Sequence, residues 1–445
     1  MTGLPVLEET TQELAAYAYS YPHKSSYRSL SPPVPIAEAW RGEDVSRLSL
    51  YLHIPFCEMR CGFCNLFTQS QPEEAFADVY LAALCRQMRV VHAAVPGTVL
   101  SQFAIGGGTP TFLSARQLEG LLTSVESVFG QSISRLPTSV ETSPRTATRD
   151  RLSVLARFGV RRISLGVQSF SQTETRLFGR PQRAHEVHGA IETIRRAGDF
   201  DLNLDLIYGH PDQTRESWRS SLREALRYRP EELYLYPLYV RPQTGLARQG
   251  LPALQHQSDF YREARDCLAD EGYEQVSLRC FRLPRDGEPT AYACQRDGMI
   301  GLGCGARSYT RRLHYATRFA VTQPGIRAIL QEWVGQSDHE FALATHGVWL
   351  TEDEQLRRYA IMSLLQLEGL SLRELTQHFP AVDVESLAGV SELRARGWLR
   401  RTEERILLTP LGVEYSDQVG PMLYSPAVRD RLREFTAGRN QGGPS

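Results

Sequence analysis

The stretch LYLHIPFCEMRCGFCNLFTQ, residues 50–69, joins an alternating apolar run to three closely spaced cysteines. Its first part belongs to LSLYLHIP (48–55), whose period-two alternation predicts a β-strand with Tyr51 and His53 on one face. The cysteines follow with C-x3-C-x2-C spacing on the predicted loop after this strand, at Cys57, Cys61 and Cys64. The stretch therefore places three thiols at the end of the first strand of a sheet.

Further apolar or alternating segments follow along the chain, separated by helical patterns. The segments are SQFAIGG (101–107), TSVETS (138–143), RRISLGVQSF (161–170), DLNLDLIYG (201–209) and ELYLYPLYV (232–240). The helical patterns include residues 74–94 and 215–228. Strands that alternate with helices indicate right-handed parallel βαβ units. The expected fold class is α/β, a partial or open (β/α)6 TIM-type barrel that binds its ligands at the C-terminal strand ends.

The pattern changes after residue 285, where Pro, Gly and Arg interrupt the sequence. From Trp349 onwards, helical segments and a two-stranded hairpin are typical of a winged-helix-like domain, mostly helical. We therefore expect an irregular N-terminal extension (1–45), the barrel (46–285), a connecting segment (286–347) and a C-terminal winged-helix-like domain (348–445).

The composition limits which binding partners and which cellular compartment are expected. The formal net charge is −1 over 445 residues, and acidic residues accompany the arginines of the C-terminal domain, so neither nucleic acid nor membrane is an expected partner. The N-terminus resembles no secretory signal, and eight cysteines without one favour reduced thiols in the cytoplasm. Lys24 is the sole lysine, which restricts lysine Schiff-base chemistry to that position. The sequence does not indicate an oligomeric state.

Three explanations compete for the cysteines of the opening stretch. Zinc would use His53 as a fourth ligand, but structural zinc sites usually bring a second ligand pair from further along the chain. A purely structural role is unusual for three close cysteines in a loop. An iron–sulfur cluster of the four-iron type would use three thiolates and leave one iron open for another ligand. In that case the missing fourth cysteine is the functional feature.

Seven ordered motifs resemble a known family. The cysteine spacing after YLHIPF, and GGGTP one strand later, resemble the radical S-adenosylmethionine (SAM) superfamily. Within it, the chain resembles the oxygen-independent coproporphyrinogen III oxidase-like (HemN-like) family. The motifs are LYLHIPFC, GGGTPTFL, VETSPRT, RISLGVQSF, LNLDLIYGHPDQT, GLGCGARSY and LTPLGVEYSDQVGPMLYS.

The resemblance implies cofactors and a type of reaction. Cys57, Cys61 and Cys64 would hold a 4Fe-4S cluster, with one SAM at the open iron and a second SAM beside it. The reduced cluster would cleave SAM to a 5′-deoxyadenosyl radical, which abstracts hydrogen from a small-molecule substrate. An electron donor such as flavodoxin or ferredoxin would supply the electron.

The resemblance also assigns residues to the first SAM. Tyr51 would pack on it as the catalytic residue, and Gly107, Gly108 and Thr109 would bind its amino group. Glu141 would contact the same molecule. The alternatives are an ordinary strand aromatic for Tyr51, a tight turn for the glycines and a surface carboxylate for Glu141.

A second group of residues would hold the second SAM. By resemblance, these are Phe63, Gln168, Arg180 and Asp205. An aspartate within the apolar strand LNLDLIYG is costly unless it is paired or liganded, so an Asp205–Arg180 structural ion pair is the alternative.

Three departures from the family concern the substrate. Leu66 stands where the coproporphyrinogen enzymes carry a further cysteine, TAYACQRDGMIGLG (290–303) lacks the histidine and tryptophan of the heme chaperones, and GYEQVSLRCFRL (272–283) replaces the usual end of the barrel region. The leading hypothesis is a radical SAM oxidoreductase or carbon (methyl or methylene) transferase that acts on a small, conjugated metabolite, with natural-product biosynthesis as one setting. The alternatives are an oxygen-independent coproporphyrinogen III dehydrogenase and a non-catalytic heme chaperone.

Overall fold

The computed structural model describes residues 20–250, 257–285, 297–380 and 382–440. Among these residues the chain forms two compact units. The larger contains residues 29–260 and 283–347, and the smaller contains the described residues up to 28 together with 261–282 and those from 348 onwards. Cys294 and the segments 286–296 and 1–19 lie outside the described residues.

Strands alternate with helices along much of the described chain. The strands are β1 (Arg28–Pro35), β2 (Leu48–Ile54), β3 (Phe56–Cys57), β4 (Gln69–Ser70), β5 (Leu100–Gly107), β6 (Thr138–Thr142), β7 (Arg162–Gln168), β8 (Asp201–Tyr208), β9 (Glu232–Pro237), β10 (Glu274–Gln275), β11 (Cys280–Arg282), β12 (Met299–Leu302), β13 (Arg307–Tyr309), β14 (Leu313–Ala316), β15 (Leu343–Trp349), β16 (Leu370–Ser371), β17 (Leu399–Arg401) and β18 (Arg405–Leu408). The helices are α1 (Ile36–Ala39), α2 (Glu74–Ala94), α3 (Ala115–Phe129), α4 (Arg149–Arg157), α5 (Gln172–Leu177), α6 (Ala184–Ala197), α7 (Arg215–Leu226), α8 (Gly245–Arg248), α9 (Gln257–Asp270), α10 (Gln323–Val334), α11 (Asp338–Phe341), α12 (Glu352–Leu364), α13 (Leu372–His378), α14 (Val390–Ala395), α15 (Pro410–Glu414), α16 (Ser416–Leu423) and α17 (Pro426–Asn440).

The larger unit is built on a parallel sheet whose strand order follows the sequence. Strands β2, β5, β6, β7, β8 and β9 are neighbours in that order, and every pair is parallel. The six strands predicted from the sequence are confirmed, as is the predicted helix over 74–94, which is α2. The order is linear, so the sheet is an open barrel with a shared C-terminal edge.

Beyond β2 the sheet continues in a mixed arrangement. β12 pairs with β2 in parallel, β13 and β14 pair antiparallel, and β15 and β1 complete this side. The N-terminal extension is therefore not wholly irregular as expected, because it contributes β1 and α1. The segment expected as a connection likewise supplies strands to the sheet. The proposed domain boundaries stay a prediction.

Alternation along the strands separates two faces of the sheet. Leu50, Leu52 and Ile54 of β2 are buried at 1% exposure or less on the helix-covered face, as are their counterparts on the other strands. The opposite face carries polar groups, as in the hydrogen bond from Gln102 Nε2 to Ser49 Oγ at 2.7 Å. The inside of the open barrel is therefore a chamber lined by polar side chains.

The smaller unit contains the expected winged-helix-like arrangement. Helices α12, α13 and α14 are followed by the hairpin β17–β18, and β16 adds a strand to give the order β16-β18-β17. Trp398 lies in its core, stacked on Tyr415 at 5.1 Å. In the described ranges, no helix combines the length and apolar character needed to cross a membrane.

Candidate active site

The loop that carries Cys57, Cys61 and Cys64, called the cysteine loop below, follows β2 at the C-terminal edge of the parallel sheet. Cys57 ends β3 and accepts a hydrogen bond from Thr109 Oγ1 at 3.6 Å. Cys61 Sγ accepts from Arg180 Nη1 at 3.2 Å, and Cys64 Sγ lies 3.8 Å from Thr68 Oγ1. Burial raises the pKa of both Cys57 and Cys64, so these thiols are poorly stabilised as anions by the protein alone. Coordinated iron would supply the missing positive charge, and the donor set fits an iron–sulfur cluster.

His53, the suggested fourth zinc ligand, is occupied by protein partners. Its Nε2 donates to the Phe67 carbonyl at 2.9 Å, which leaves Nδ1 to accept from the Tyr51 hydroxyl at 3.2 Å. Tyr51 and His53 thus share one face of β2, as predicted. Among the described residues, no three histidine, cysteine or acidic side chains converge on a position for one metal ion. These contacts disfavour zinc coordination by His53.

The segment GGGTP binds the chain that leads into the cysteine loop. Gly108 N–H donates to the Ile54 carbonyl at 2.8 Å, and Thr109 N–H donates to the Phe56 carbonyl at 2.7 Å. Gly107 N–H donates to Glu141 Oε2 at 3.1 Å. An ammonium group only donates hydrogen bonds, so it could be bound by the carbonyl oxygens of this segment or by Thr109 Oγ1, but not by the N–H groups. The cofactor role of Gly107, Gly108 and Thr109 stays a prediction on that basis.

A second glycine motif also packs against His53. A β-carbon on Gly305 would lie 3.0 Å from His53 Nε2, and one on Gly303 would lie 2.6 Å from the His53 carbonyl oxygen. The family motif GLGCGARSY therefore brings the β12–β13 turn onto the histidine beside the cysteine loop. This packing role of the two glycines was not predicted from the sequence.

Gly62, between the second and third cysteines, is a junction of three chain segments. Its N–H donates to the Phe178 carbonyl at 2.7 Å, and its own carbonyl accepts from Leu246 N–H at 2.9 Å. A β-carbon on Gly62 would approach the Phe178 carbonyl oxygen to 2.9 Å. Next to it, the Phe63 ring packs edge-on against the Phe178 ring at 5.9 Å. The turn after α5 and the start of α8 therefore both hold the cysteine loop.

Two carboxyl groups face the chamber without a cation that neutralises them fully. Glu141 is exposed to the chamber, where desolvation by the barrel walls, with a further contribution from the negative charge of Asp205, raises its pKa to about 7. Desolvation also raises the pKa of Asp205, whose oxygens accept from Asn203 Nδ2 at 2.8 Å and Ser164 Oγ at 3.2 Å. Two such carboxyls favour a positively charged ligand between them.

Gln168, Arg180 and Asp205 meet around Gly166. Asp205 is the register partner of Gly166, and a β-carbon on Gly166 would lie 3.0 Å from Gln168 Nε2 and 3.7 Å from Arg180 Nη2. Gln168 has a φ of 69° beside a bulge in β7, and such strain costs about 1–3 kcal/mol and concentrates at functional sites. Within the described residues no ion pair joins Arg180 to Asp205, so the structural alternative for these residues is not realised.

Comparisons with known proteins identify relatives that match along both units. The model of the Radical SAM superfamily matches residues 51–225, and that of the HemN C-terminal domain matches residues 350–415. The oxygen-independent coproporphyrinogen III oxidase of Escherichia coli (strain K12) is 30% identical, with 82% of each chain covered. The heme chaperone HemW of Synechocystis is 26% identical, with 85% of this chain and 97% of the relative covered. The solved structure of coproporphyrinogen III oxidase (HemN) from Escherichia coli, described as a radical SAM enzyme, superposes with a TM-score of 0.77 at 25% identity, covering 92% of this chain and 97% of that one.

The open parallel barrel with a three-cysteine loop at its C-terminal edge defines a radical SAM protein. The match along both units is more specific. The chain belongs to the oxygen-independent coproporphyrinogen III oxidase-like family.

Proposed function

We propose that the protein is a radical SAM enzyme that acts on a small, conjugated metabolite, with Cys57, Cys61 and Cys64 as the cluster ligands. The observation that carries this proposal is the position of the three thiols at the same sheet edge as Tyr51 and Glu141. When bound, the reduced 4Fe-4S cluster supplies the electron that cleaves SAM to methionine and a 5′-deoxyadenosyl radical.

Two residues of the chain, Tyr51 and Glu141, would orient SAM. Tyr51 is oriented by its hydrogen bond to His53 and packs near Met299 and Tyr309, which fits a flat aromatic wall for SAM. Glu141, fixed by Gly107 N–H, offers a carboxylate to ribose hydroxyls or to positive charge. The raised pKa of Glu141 is a cost that a cationic sulfonium compound would offset.

A second SAM held by Gln168, Asp205 and Arg180, beside Phe63, is the finer part of the proposal. It is supported by the grouping of the first three around Gly166 and by the strained φ of Gln168. With a second SAM, two outcomes are open: hydrogen abstraction by an oxidoreductase, or transfer of a methyl or methylene carbon. The relatives named as coproporphyrinogen oxidases favour the oxidoreductase.

Two further candidates follow from the relatives. A coproporphyrinogen III dehydrogenase is favoured by the similarity along both units, and a heme chaperone is favoured by the similarity to HemW. Leu66 is 43% exposed next to the cysteine loop, where the former enzymes carry a cysteine, and this departure favours a different substrate. The seven cysteines that the structure describes form no disulfide with one another, and the proposal places the protein in a reducing, cytoplasmic setting with a flavodoxin or ferredoxin as reductant.

The test measures the reductive cleavage of SAM and, in parallel, the binding of heme. Anaerobically reconstituted protein, reduced with dithionite, should convert SAM to 5′-deoxyadenosine and methionine even without substrate. The Cys57→Ala/Cys61→Ala/Cys64→Ala variant should form neither product. Stoichiometric heme binding without cleavage by the wild type would contradict the enzyme and favour the chaperone. Cleavage that accelerates on addition of coproporphyrinogen III would identify the dehydrogenase instead.

A further inference from the structure

Arg180 is held rigidly beside the cysteine loop. It follows the turn after α5, where its backbone N–H donates to the Thr175 carbonyl at 2.8 Å. Its Nε donates to Gln182 Oε1 at 2.9 Å, and its Nη2 donates to the Gly166 carbonyl at 2.8 Å. Gln182 is itself buried and donates to the Val167 carbonyl. With Nε and Nη2 fixed, the planar guanidinium directs Nη1 in a defined direction.

The third nitrogen points at a cluster ligand. Arg180 Nη1 lies 3.2 Å from Cys61 Sγ and donates to it. The neighbouring turn residue Phe178 binds Gly62 through its carbonyl, so the same turn fixes both the backbone and the sulfur of this part of the loop. A guanidinium keeps its positive charge at all relevant pH values, so this is a charge-assisted hydrogen bond.

No carboxylate among the described residues forms an ion pair with Arg180. Among the described residues, no acidic oxygen lies within ion-pair distance of its nitrogens, whereas the Arg162 guanidinium of the same barrel pairs with Glu232 at 2.7 Å. A partly buried cation without an acidic partner is costly unless an anion faces it. The group in direct contact with the remaining nitrogen of Arg180 is the sulfur of Cys61, while the carboxylates of Glu58 and Asp205 act on it only from beyond ion-pair distance. An anionic cluster bound through this sulfur would provide the counter-charge.

We propose that Arg180 is a positioning residue that raises the reduction potential of the cluster through its charged hydrogen bond to the Cys61 sulfur. This inference rests on the proposed cluster at Cys57, Cys61 and Cys64, and it gives Arg180 a role beyond contact with a second SAM. Hydrogen bonds to cluster sulfurs and nearby charge are established determinants of such potentials. Reduction adds one electron and makes the cluster more negative, so a fixed positive charge at the sulfur stabilises the reduced state.

The experiment is an anaerobic redox titration of the reconstituted full-length protein, followed by the electron paramagnetic resonance signal of the reduced cluster. The Arg180→Gln variant removes the charge, Arg180→Lys keeps it, and Arg176→Gln, at an exposed position of α5, is the control with the same change in net charge. We expect the midpoint potential of Arg180→Gln to shift to a more negative value. Arg180→Lys should shift less, and Arg176→Gln should match the wild type.

The outcomes separate this inference from the proposed function. A wild type that binds no iron would contradict the proposed function itself. An Arg180→Gln variant with full iron content and an unchanged potential would overturn the role of Arg180, and a loss of SAM stoichiometry in the same variant would assign it to the second SAM alone. Should Arg180→Gln not hold iron, resonance Raman spectra in D2O decide. The iron–sulfur stretches of the wild type should shift on deuteration, and stretches that do not respond would overturn the hydrogen bond.

Discussion

The imidazole ring of His53 fills the space that a side chain on Gly107 would need. A β-carbon on Gly107 would lie 2.6 Å from His53 Cε1, and the φ of Gly107 is 110°. The same imidazole binds the Phe67 carbonyl at the end of the cysteine loop. The glycine therefore permits a contact between β5 and the histidine that fixes the loop.

Replacement of Gly107 by alanine should destabilise the fold. The positive φ alone costs about 1–3 kcal/mol for a residue with a side chain, and overpacking against His53 adds to this cost. Urea unfolding of the apoprotein measures the loss. Gly120→Ala is the control, because this position on the exposed face of α3 has nothing within 4 Å of an added β-carbon, and alanine there should stabilise the fold by about 0.5–1 kcal/mol. Equal stability of Gly107→Ala and wild type would contradict the packing role of His53.

The parallel sheet could be predicted because its signals are local. Each strand from β2 to β9 has its own apolar alternation and is separated from the next by a helical pattern, so no long-range information was required. β1 was not predicted from the sequence, because RSLSPPVP contains three prolines. Proline is tolerated mainly in edge strands, and β1 is the edge strand of this sheet. β12 has four residues, too few for a pattern.

The contacts that support the cysteine loop could not be predicted in the same way. Arg180 and Cys61 are 119 positions apart in the sequence. The family resemblance assigned Arg180 to the second SAM and not to the cysteine. A glycine at position 305 is consistent with close packing of another group against the backbone. The sequence does not indicate that this group is the imidazole of His53. Such pairings arise from the tertiary arrangement of loops, whose residues carry no periodic pattern.

Single replacements of Cys57, Cys61 and Cys64 by alanine should abolish the cluster. The wild type should bind about four irons per chain and bleach in air. Cys85→Ala and Cys267→Ala are matched controls, because these cysteines are similarly half-buried but lie on α2 and α9. Iron and sulfide analysis with the visible absorption spectrum provides the measurement. Retention of full iron after replacement of all three loop cysteines would refute the ligand assignment.

Binding of SAM should strengthen as the pH rises through about 7, the pKa of Glu141 in the ligand-free protein. Only the ionised carboxylate can accept from ribose hydroxyls with both oxygens or neutralise the sulfonium charge. In Glu141→Gln this pH dependence should be much smaller, and affinity should be reduced at high pH. Calorimetric titration over the neutral range measures both. Identical pH profiles in the two proteins would show that Glu141 does not contact the ligand.

The same shift predicts a change in the stability of the apoprotein. Because the folded pKa of Glu141 lies above the ordinary value of 4.5, the folded state retains a proton that the unfolded state releases. Its contribution to stability is therefore complete below pH 4.5 and is lost as the pH rises through about 7. Thermal unfolding of Glu141→Gln should show a smaller decline over this range than wild type. A steeper decline in the variant would contradict the direction of the shift.

The final prediction is that Asp205 binds the second SAM. Equilibrium binding to the wild-type holoenzyme should saturate at two molecules per cluster, whereas Asp205→Asn should saturate at one and still cleave it. The asparagine keeps an oxygen that accepts from Asn203 Nδ2, its own amide N–H can donate to Ser164 Oγ, and the change removes a desolvated charge, so the fold should tolerate it. Asp201→Asn on the same strand is the control with the same change in charge. With methyl-labelled SAM, label in the product of the wild type would show carbon transfer, and unlabelled product would show hydrogen abstraction. Saturation at one molecule in wild type and Asp205→Asn alike would refute the second binding site, because Asp205 would then have no ligand to lose.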